Sequence, residues 1–390
     1  MRVLFVADGR SPIALNWIRY FVERGDEVHL ASTFACQPEL AVSSLDVVPV
    51  AFSGLKTVPT ADRAPAPAIW GASTLHLRTV LRQWLGPLTV PGAARRLSEI
   101  VERVRPDLIH AMRIPYEGML AAAAMGTASR AGPALLVSVW GNDFSLHARS
   151  TLLMKTYTRM ALRAANGLHA DCQRDIRLAG RLGFPDNFPT LVAPGNGGIR
   201  QDVFYPPEGA PDAPVVVQPR GFRAYVRNDT FFQAIPLVLE EFPGARFLCP
   251  AMAGEREAQE WVRKLDIAQA VELLPPRSHP QMGDLFRSAQ VAVSPTTHDG
   301  TPNTLLEAMA CGCFPVAGDL ESIREWIIPG QNGLLVDAGD PAALAAAILR
   351  GLKDPELRRR AMGKNTAMIA ERAAYAQTMA RVVAFYQRFF

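Results

Sequence analysis

Five apolar residues, Val3 to Ala7, run into the polar loop Asp8-Gly9-Arg10-Ser11-Pro12, then a helix-periodic stretch from Ile13 to Val22, then Gly25 and a second apolar run, Val28 to Ala31. This order recurs along the chain, and it narrows the available folds more than anything else. A strand that is apolar at every position must be covered on both faces, which a parallel sheet between two helical layers provides. Ser11-Pro12 supplies an N-cap and a first-turn residue for the helix that follows. Further strand candidates are Val47 to Val50, Leu108 to His110, Leu135 to Val139, Gly167 to Ala170 and Thr190 to Ala193, with helical stretches around 92–104, 116–129, 150–165 and 172–182.

Residues 54–91 break the rhythm. They carry Pro59, Pro65, Pro67, Trp70, Trp84 and Pro87, which reads as an inserted loop with a short amphipathic helix near Leu75 to Leu85. Leu75, Leu77, Leu81, Trp84 and Leu85 beside Arg78 and Arg82 suit packing on the first domain, an acceptor lid or a membrane-surface helix. Between Phe184 and Pro214 the chain turns rich in Pro, Gly and Asn, as in Pro194-Gly195-Asn196-Gly197-Gly198 and Pro206-Pro207, the composition of an interdomain crossing. The alternation then resumes with strands at Val215 to Gln218, Arg246 to Cys249, Val271 to Leu274, Val291 to Ser294, Phe314 to Ala317 and Gly333 to Val336. From about Ile369 to Phe390 a long helix is expected, with Tyr375, Met379, Val382, Val383 and Phe385 on its apolar stripe. A chain of 390 residues has room for two such domains. The expected division is 1–195, a linker at 196–213, a second domain at 214–368 and the terminal helix at 369–390.

With 20% charged and 49% hydrophobic residues the chain is globular. Residues 1–190 hold 21 Lys and Arg against 15 Asp and Glu, and the remainder 20 against 22. The basic first half suits a phosphate-bearing substrate or a membrane surface, or is a solvated face; it does not point to nucleic acid. The five cysteines, mostly in apolar runs, read as reduced thiols of a cytoplasmic protein. Cys311-Gly-Cys313 has no second Cys or His pair near it, so a buried structural role is expected and no metal. The apolar stretches around Phe5 and from Met119 to Met125 are too short for a signal peptide or a membrane span, which leaves a soluble protein or one peripheral on the inner face of the membrane.

Parallel sheets bind ligands at the carboxyl ends of their strands. The outstanding loop of that kind is the segment from Ser294 to Gly312: a strand end, a polar loop with Asp299 and Gly300, and a short helix. Gly300 allows a close backbone approach, and the unpaired N–H groups of the first helical turn favour a phosphate by roughly 0.3–1 kcal/mol through the helix dipole. Glu307, one turn into the helix, can accept hydrogen bonds from a ribose diol. Thr304-x-x-Glu307 equally matches a capping box, in which Glu307 only reaches back to a backbone N–H.

Asp299 to Gly312, followed by Phe314-Pro315-Val316 and Glu325-x4-Gly330-Gln331-Asn332-Gly333, resembles the glycosyltransferase group 1 family, the retaining GT-B enzymes of glycosyltransferase family 4. The family pattern is Glu, seven residues, Glu, then Ala-Met-Ala and Gly; the spacing is kept here with Asp299 in the first carboxylate position. The stretch Gly195-Asn196-Gly197-Gly198-Ile199 through Phe204 is similar to the family's Pro-Asn-Gly segment. The resemblance implies two Rossmann-like domains facing across a cleft, the first on the acceptor side and the second on the donor side, with the C-terminal helix crossing back to the first domain. It implies transfer, with retention, from a nucleotide sugar, UDP- or GDP-linked, to an acceptor glycan, a lipid-linked sugar or a small molecule, with neither metal nor cofactor. The absence of any Asp-x-Asp pair agrees with metal independence.

By the same resemblance Glu307 holds the ribose, Asp299 faces the donor sugar, and Gly300, Thr301, Pro302, Asn303 and Thr304 contact the donor. Arg220, Arg223 and Arg227 are the candidates for the diphosphate, each worth roughly 1.5–3 kcal/mol in a charge-assisted hydrogen bond, with one of the three expected in a surface ion pair. In the first domain Gly9 approaches the donor phosphate while Arg10 and Ser11 border the acceptor; an ordinary tight turn fits nearly as well. His110 is a catalytic candidate because the family often has a functional His where this chain has Met112, but a satisfied core histidine is the competing reading. Trp140-Gly141-Asn142-Asp143 resembles a Trp-Gly-Ser-Asp variant, placing Trp140 and Asn142 at the acceptor and Asp143 among the catalytic candidates, or holding the loop by turn hydrogen bonds. The alternatives in other classes are a nucleotide-sugar epimerase, a dehydrogenase, which lacks its Gly-x-Gly-x-x-Gly after the first strand, and a non-catalytic sugar-nucleotide-binding protein.

Overall fold

Strand β1 (Arg2–Ala7) is buried at five of its six positions and pairs in parallel with a neighbour on each side, as its unbroken apolar run requires. The computed structural model describes residues 1–53, 82–126, 132–209, 211, 213–223 and 225–390. These form two units: Met1–Asp171 with Asp175–Asn196 and Arg381–Phe390, and Cys172–Arg174 with Gly197–Ala380.

The sheet of the first unit adds β2 (Glu27–Ser32), β3 (Ser44–Val47), β4 (Leu108–Ala111), β5 (Ala134–Val139), β6 (Gly167–Ala170) and β7 (Thr190–Val192), in the order β3-β2-β1-β4-β5-β6-β7. Register is set by pairs such as Val3 with Val28 and Phe5 with His110. Its helices are α1 (Pro12–Glu23), α2 (Val90–Val104), α3 (Met119–Met125), α4 (Leu152–Ala164) and α5 (Gln173–Leu182), the first two residues of the last, Gln173 and Arg174, grouping with the second unit. Helix α1 starts where Ser11-Pro12 predicts, with the Ser11 side chain accepting from the Ala14 N–H at 3.4 Å. Leu4, Val6, Ile109, Val137 and Leu168 face a core closed by Leu97, Met119 and Leu162.

Three expectations shift. The third strand lies at Ser44–Val47 and not at Val47 to Val50, because an edge strand with one wet face alternates polar and apolar residues and hides its pattern. The helix expected at 116–129 starts at Met119, after a distorted turn at Ile114–Gly118. Of the insert at 54–91, residues 54–81 lie outside the described residues; residues 82–85 are helical and Gly86–Thr89 form a tight helical turn.

The second sheet comprises β8 (Val215–Val217), β9 (Arg246–Cys249), β10 (Val271–Leu273), β11 (Val291–Ser294), β12 (Phe314–Gly318) and β13 (Leu334–Val336), all parallel in the order β10-β9-β8-β11-β12-β13. Around it lie α6 (Asn228–Glu241), α7 (Arg256–Lys264), α8 (His279–Arg287), α9 (Asn303–Ala310), α10 (Pro341–Lys353) and α11 (Pro355–Arg372), followed by α12 (Tyr375–Tyr386). Apolar clusters cover both faces, one built on Phe231, Phe247 and Ile348 and the other on Leu306, Met309 and Ile369. The single terminal helix expected from residue 369 is two helices. They break at Ala373–Ala374 because Ile199 takes their backbone: its N–H donates to the Ala373 carbonyl at 2.7 Å and its carbonyl accepts from the Tyr375 N–H at 3.0 Å.

In each sheet the strand order reverses direction beside its first strand, between β1 and β4 and between β8 and β11. Loops part at such a point and leave a crevice at the carboxyl ends. Among the described residues no helix is long and apolar enough to cross a membrane.

Candidate functional site

At the reversal point of the second sheet the loop after β8 pairs with the loop after β11. Val226 bridges Thr296, the Arg227 N–H donates to the Pro295 carbonyl at 2.9 Å, and the Thr297 N–H to the Tyr225 carbonyl at 2.9 Å. Gly318, at the end of β12, lets this loop lie close: a Cβ there would stand 2.2 Å from the Thr296 carbonyl oxygen. The chain then turns through Asp299 to Pro302 and enters α9, which Gly312 closes in a left-handed conformation at φ +83.

Helix α9 begins at Asn303, with Pro302 as its N-cap and no side-chain cap. The first backbone hydrogen bond of its entry is donated by the Leu305 N–H, so Asn303 and Thr304 present their amides outward. Because Pro302 is the cap, Glu307 stands beyond the third helical position and the capping-box reading fails. Glu307 is only 6% exposed, and among the described residues nothing donates to its carboxylate. Burial pushes the carboxyl up to about 7, against a smaller opposing pull from Arg220.

Asp299 sits beside it. Its Oδ2 accepts from Arg220 Nη2 at 2.6 Å, both side chains being largely buried, and its Oδ1 accepts from the Gly300 N–H at 3.2 Å. Burial raises the Asp299 carboxyl above its ordinary range, and Arg220 draws it back. The carbonyl of Asp299 accepts from Arg174 Nη1 at 2.6 Å and from Ser322 Oγ at 2.7 Å, while Trp326 Nε1 donates to Thr301 Oγ1 at 3.0 Å. Arg220 also reaches Thr304 Oγ1 at 3.5 Å, and its backbone N–H is held by Gln218, itself tied to Asn228. Arg220 Nε, Asn303 Oδ1, Thr296 Oγ1 and Ser294 Oγ are buried without a hydrogen-bond partner. An anionic sugar derivative with hydroxyl groups would satisfy this set.

The three arginines therefore separate. Arg220 is in the cluster, and Arg223 is exposed, with Nε donating to the Arg220 carbonyl at 3.2 Å. Arg227 is the one of the three in a surface ion pair: its guanidinium grips Asp229 at 2.8 and 2.7 Å in a half-exposed pair, and its backbone serves the loop. Arg174, Gln218, Ser322 and Trp326 were not foreseen. Ser322 and Trp326 adjoin the Glu325 motif, which is a signal, whereas nothing local marks Arg174.

In the first unit the candidates are mostly committed to the fold. The Gly9 N–H donates to Ser32 Oγ at 3.0 Å, and a Cβ on Gly9 would lie 2.4 Å from Cys36 Sγ, which fixes glycine by packing. Arg10 grips Asp8 through two contacts of 3.0 Å and lies over the Phe34 ring at 3.5 Å; Ser11 caps α1. Asp143 is wholly buried, with Oδ1 accepting from Arg113 Nε at 2.8 Å and Oδ2 from the Trp140 N–H at 3.0 Å, while Asn142 Oδ1 accepts from Arg113 Nη2 at 2.9 Å. Asp143 thus holds the loop, with each oxygen already accepting a hydrogen bond. Trp140 differs: its Nε1 is buried and unpartnered.

His110 takes the core position of its competing reading. It is fully buried between Tyr386 and Ser138, Ser138 Oγ lies 2.8 Å from His169 Nδ1, and His169 Nε2 lies 2.9 Å from the Ala193 carbonyl. Trp17 Nε1 can only donate, 3.0 Å to Tyr386 Oη, and the Ala193 carbonyl can only accept. The chain therefore runs one way from Trp17 to Ala193, with both imidazoles neutral. Burial lowers the His110 pKa well below its ordinary value and that of His169 to about 4.

Residues 215–354 match the family described as Glycosyl transferases group 1, and residues 9–195 match the Glycosyl transferase 4-like domain. The D-inositol 3-phosphate glycosyltransferase of Thermobispora bispora is 28% identical over 217 residues, covering 51% of this chain and 50% of that protein. The protein of the same name from Streptomyces bingchenggensis is 24% identical over 218 residues, with 51% and 48% covered. This chain spans about half the length of the curated relatives it matches. Among solved structures, sucrose-phosphate synthase from Thermosynechococcus elongatus superimposes with a TM-score of 0.76 at 16% identity, covering 100% of this chain and 99% of that one. HepE of Anabaena, in complex with UDP, gives 0.73 at 15% identity with both chains covered in full. These likenesses establish the GT-B fold of two Rossmann-like parallel sheets, and with the two matched segments they show that the chain belongs to the group 1 glycosyl transferases.

Proposed function

We propose that this chain moves a sugar from a nucleotide diphosphate sugar to an acceptor hydroxyl, with retention of configuration and without a metal or other cofactor. One observation carries the reading: a buried carboxylate, Glu307, has no donor of its own and stands beside Arg220 and the unpaired amides that open α9. A ribose diol supplies two O–H donors to Glu307, and the diphosphate lies against the amides of Asn303 and Thr304 and the guanidinium of Arg220. As the sugar–phosphate bond breaks, the charge growing on the departing diphosphate meets those fixed donors. Asp299, aligned by Arg220 and Arg174, faces the sugar. Trp140 Nε1 is the group of the first unit best suited to an acceptor oxygen.

A uridine donor is favoured over a guanosine one because the HepE protein was solved with UDP and with UDP-glucose. The name of the curated relatives, D-inositol 3-phosphate glycosyltransferase, brings a phosphorylated polyol into the acceptor class beside glycans and lipid-linked sugars. The five free cysteines suit a reducing, cytoplasmic setting. The test is turnover: UDP-, GDP-, ADP- and dTDP-sugars are offered with an acceptor panel, and nucleoside diphosphate release and melting shifts are measured. Release from a UDP-sugar, with Glu307→Ala losing it, is expected. Binding without release under every acceptor would favour the non-catalytic reading, and no binding to any donor would overturn the proposal.

A further inference from the structure

The first unit carries a groove of about 700 Å³ whose lining includes none of the residues assigned above to the transfer. It runs between the start of α4, the last turns of α5 and the turn around residue 84. Arg149, Lys155, Arg159 and Arg181 line it, and no carboxylate does. None of the four forms an ion pair with a described residue, whereas surface arginines elsewhere, such as Arg103, Arg324 and Arg359, are each held by an acid. Lys155 stands near the positive end of the α4 dipole, where the first turn has no acidic residue to offset it. Among the described residues this face thus concentrates positive charge with no counter-charge.

Large apolar side chains stand in the same place. Leu152, at the first position of α4, is 83% exposed, and Trp84 is 61% exposed; both border the groove. Leu88, one turn beyond Trp84, is 62% exposed. Thr151 ties the two elements together, capping α4 through the Met154 N–H at 3.1 Å and donating to the Gln83 carbonyl at 3.3 Å. Water gives no reason to hold a Trp and two Leu outward on a braced platform, whereas the boundary of a bilayer suits Trp and Leu tips, with cationic stems lying along it and their heads at the phosphates.

We infer that this face docks on an anionic phospholipid bilayer, with Trp84, Leu88 and Leu152 entering the interface and Arg149, Lys155, Arg159 and Arg181 meeting the headgroup phosphates. It places the first unit at a lipid surface whatever donor the second unit uses.

The full chain is sedimented with vesicles of phosphatidylcholine alone and of phosphatidylcholine mixed with phosphatidylglycerol. Binding only to the anionic vesicles is expected, weakening as salt rises. Lys155→Ala and Arg159→Ala each weaken it about 5-fold, and Leu152→Ser about tenfold, while melting temperature and nucleoside diphosphate binding stay at the parent values. Equal binding to both vesicle types, no binding to either, or indifference to all three substitutions would overturn the inference. Release from the vesicles by millimolar inorganic phosphate at constant ionic strength would also overturn it, by assigning the groove to a free anion.

Discussion

The hydrogen-bonded chain in the first sheet and the Arg220 cluster at the second are both buried and both polar, yet they are completed to different degrees. From Trp17 through Tyr386, His110, Ser138 and His169 to Ala193, each hydrogen finds an acceptor and both imidazoles stay neutral. At the second sheet polar groups are left open: nothing among the described residues donates to the Glu307 carboxylate, and Asn303 Oδ1, Thr296 Oγ1, Ser294 Oγ and Arg220 Nε are buried without a partner. A saturated network stabilises a single packing. A deficient one keeps its capacity for something that arrives later, and a buried polar group left open costs about 1–3 kcal/mol until then.

The largest expected break in that contrast is Arg220→Ala, which strips Asp299 of its buried partner and the diphosphate of its cation. Nucleoside diphosphate release should fall about 100- to 1000-fold; a loss below tenfold would remove Arg220 from the site. Next is the pH response of Glu307, whose folded carboxyl stands at about 7 against an ordinary value of 4.5. The folded state keeps a proton that the unfolded chain releases, so stability is fully present below pH 4.5 and is lost as pH rises through 7, by on the order of 3 kcal/mol. Glu307→Gln should flatten that loss in melts across the window. Ribose hydroxyls favour the ionised form, so nucleotide affinity should climb between pH 6 and 8 in the parent and stay level in the variant.

The first-unit network should respond in the opposite sense. His169, with a folded pKa of about 4 against 6.5, contributes stability that is present above pH 6.5 and is lost as pH falls through 4. Tyr386→Phe, which removes both the Trp17 and the His110 hydrogen bond, should lower stability by about 1–3 kcal/mol and leave nucleotide affinity unchanged; a matching loss of affinity would erase the distinction between the networks. The smallest effect belongs to Arg227→Ala, which removes a half-exposed pair worth about 0–1 kcal/mol and should leave release rates within twofold.

The parallel sheets were legible because buried strands such as Val3 to Ala7 and Val291 to Ser294 are apolar throughout, and that requirement is local. What was not legible depended on distant partners. The break between α11 and α12 is made by Ile199, some 170 residues earlier, and the edge strand at Ser44–Val47 shares its composition with a loop. At the site, the Asp299 to Glu307 segment announced itself through its loop-helix shape and carboxylate spacing. Three arginines within eight residues did not announce which one turns inward. Asp229, two residues after Arg227, decides part of it, and only packing brings Arg220 to Asp299 and Arg174 to the loop. His110 lies in a buried strand in either reading, and its assignment rests on Tyr386, far along the chain.

That last contact bears on how the protein is made. The first unit draws on distant parts of the sequence, since Trp17 and His110 leave the ribosome well before Tyr386, whose hydroxyl joins them. Until that residue is released, the earliest strands hold two buried nitrogens with nothing between them. The earlier of the two sheets is therefore finished only after the later one has been made, because its network waits for Tyr386.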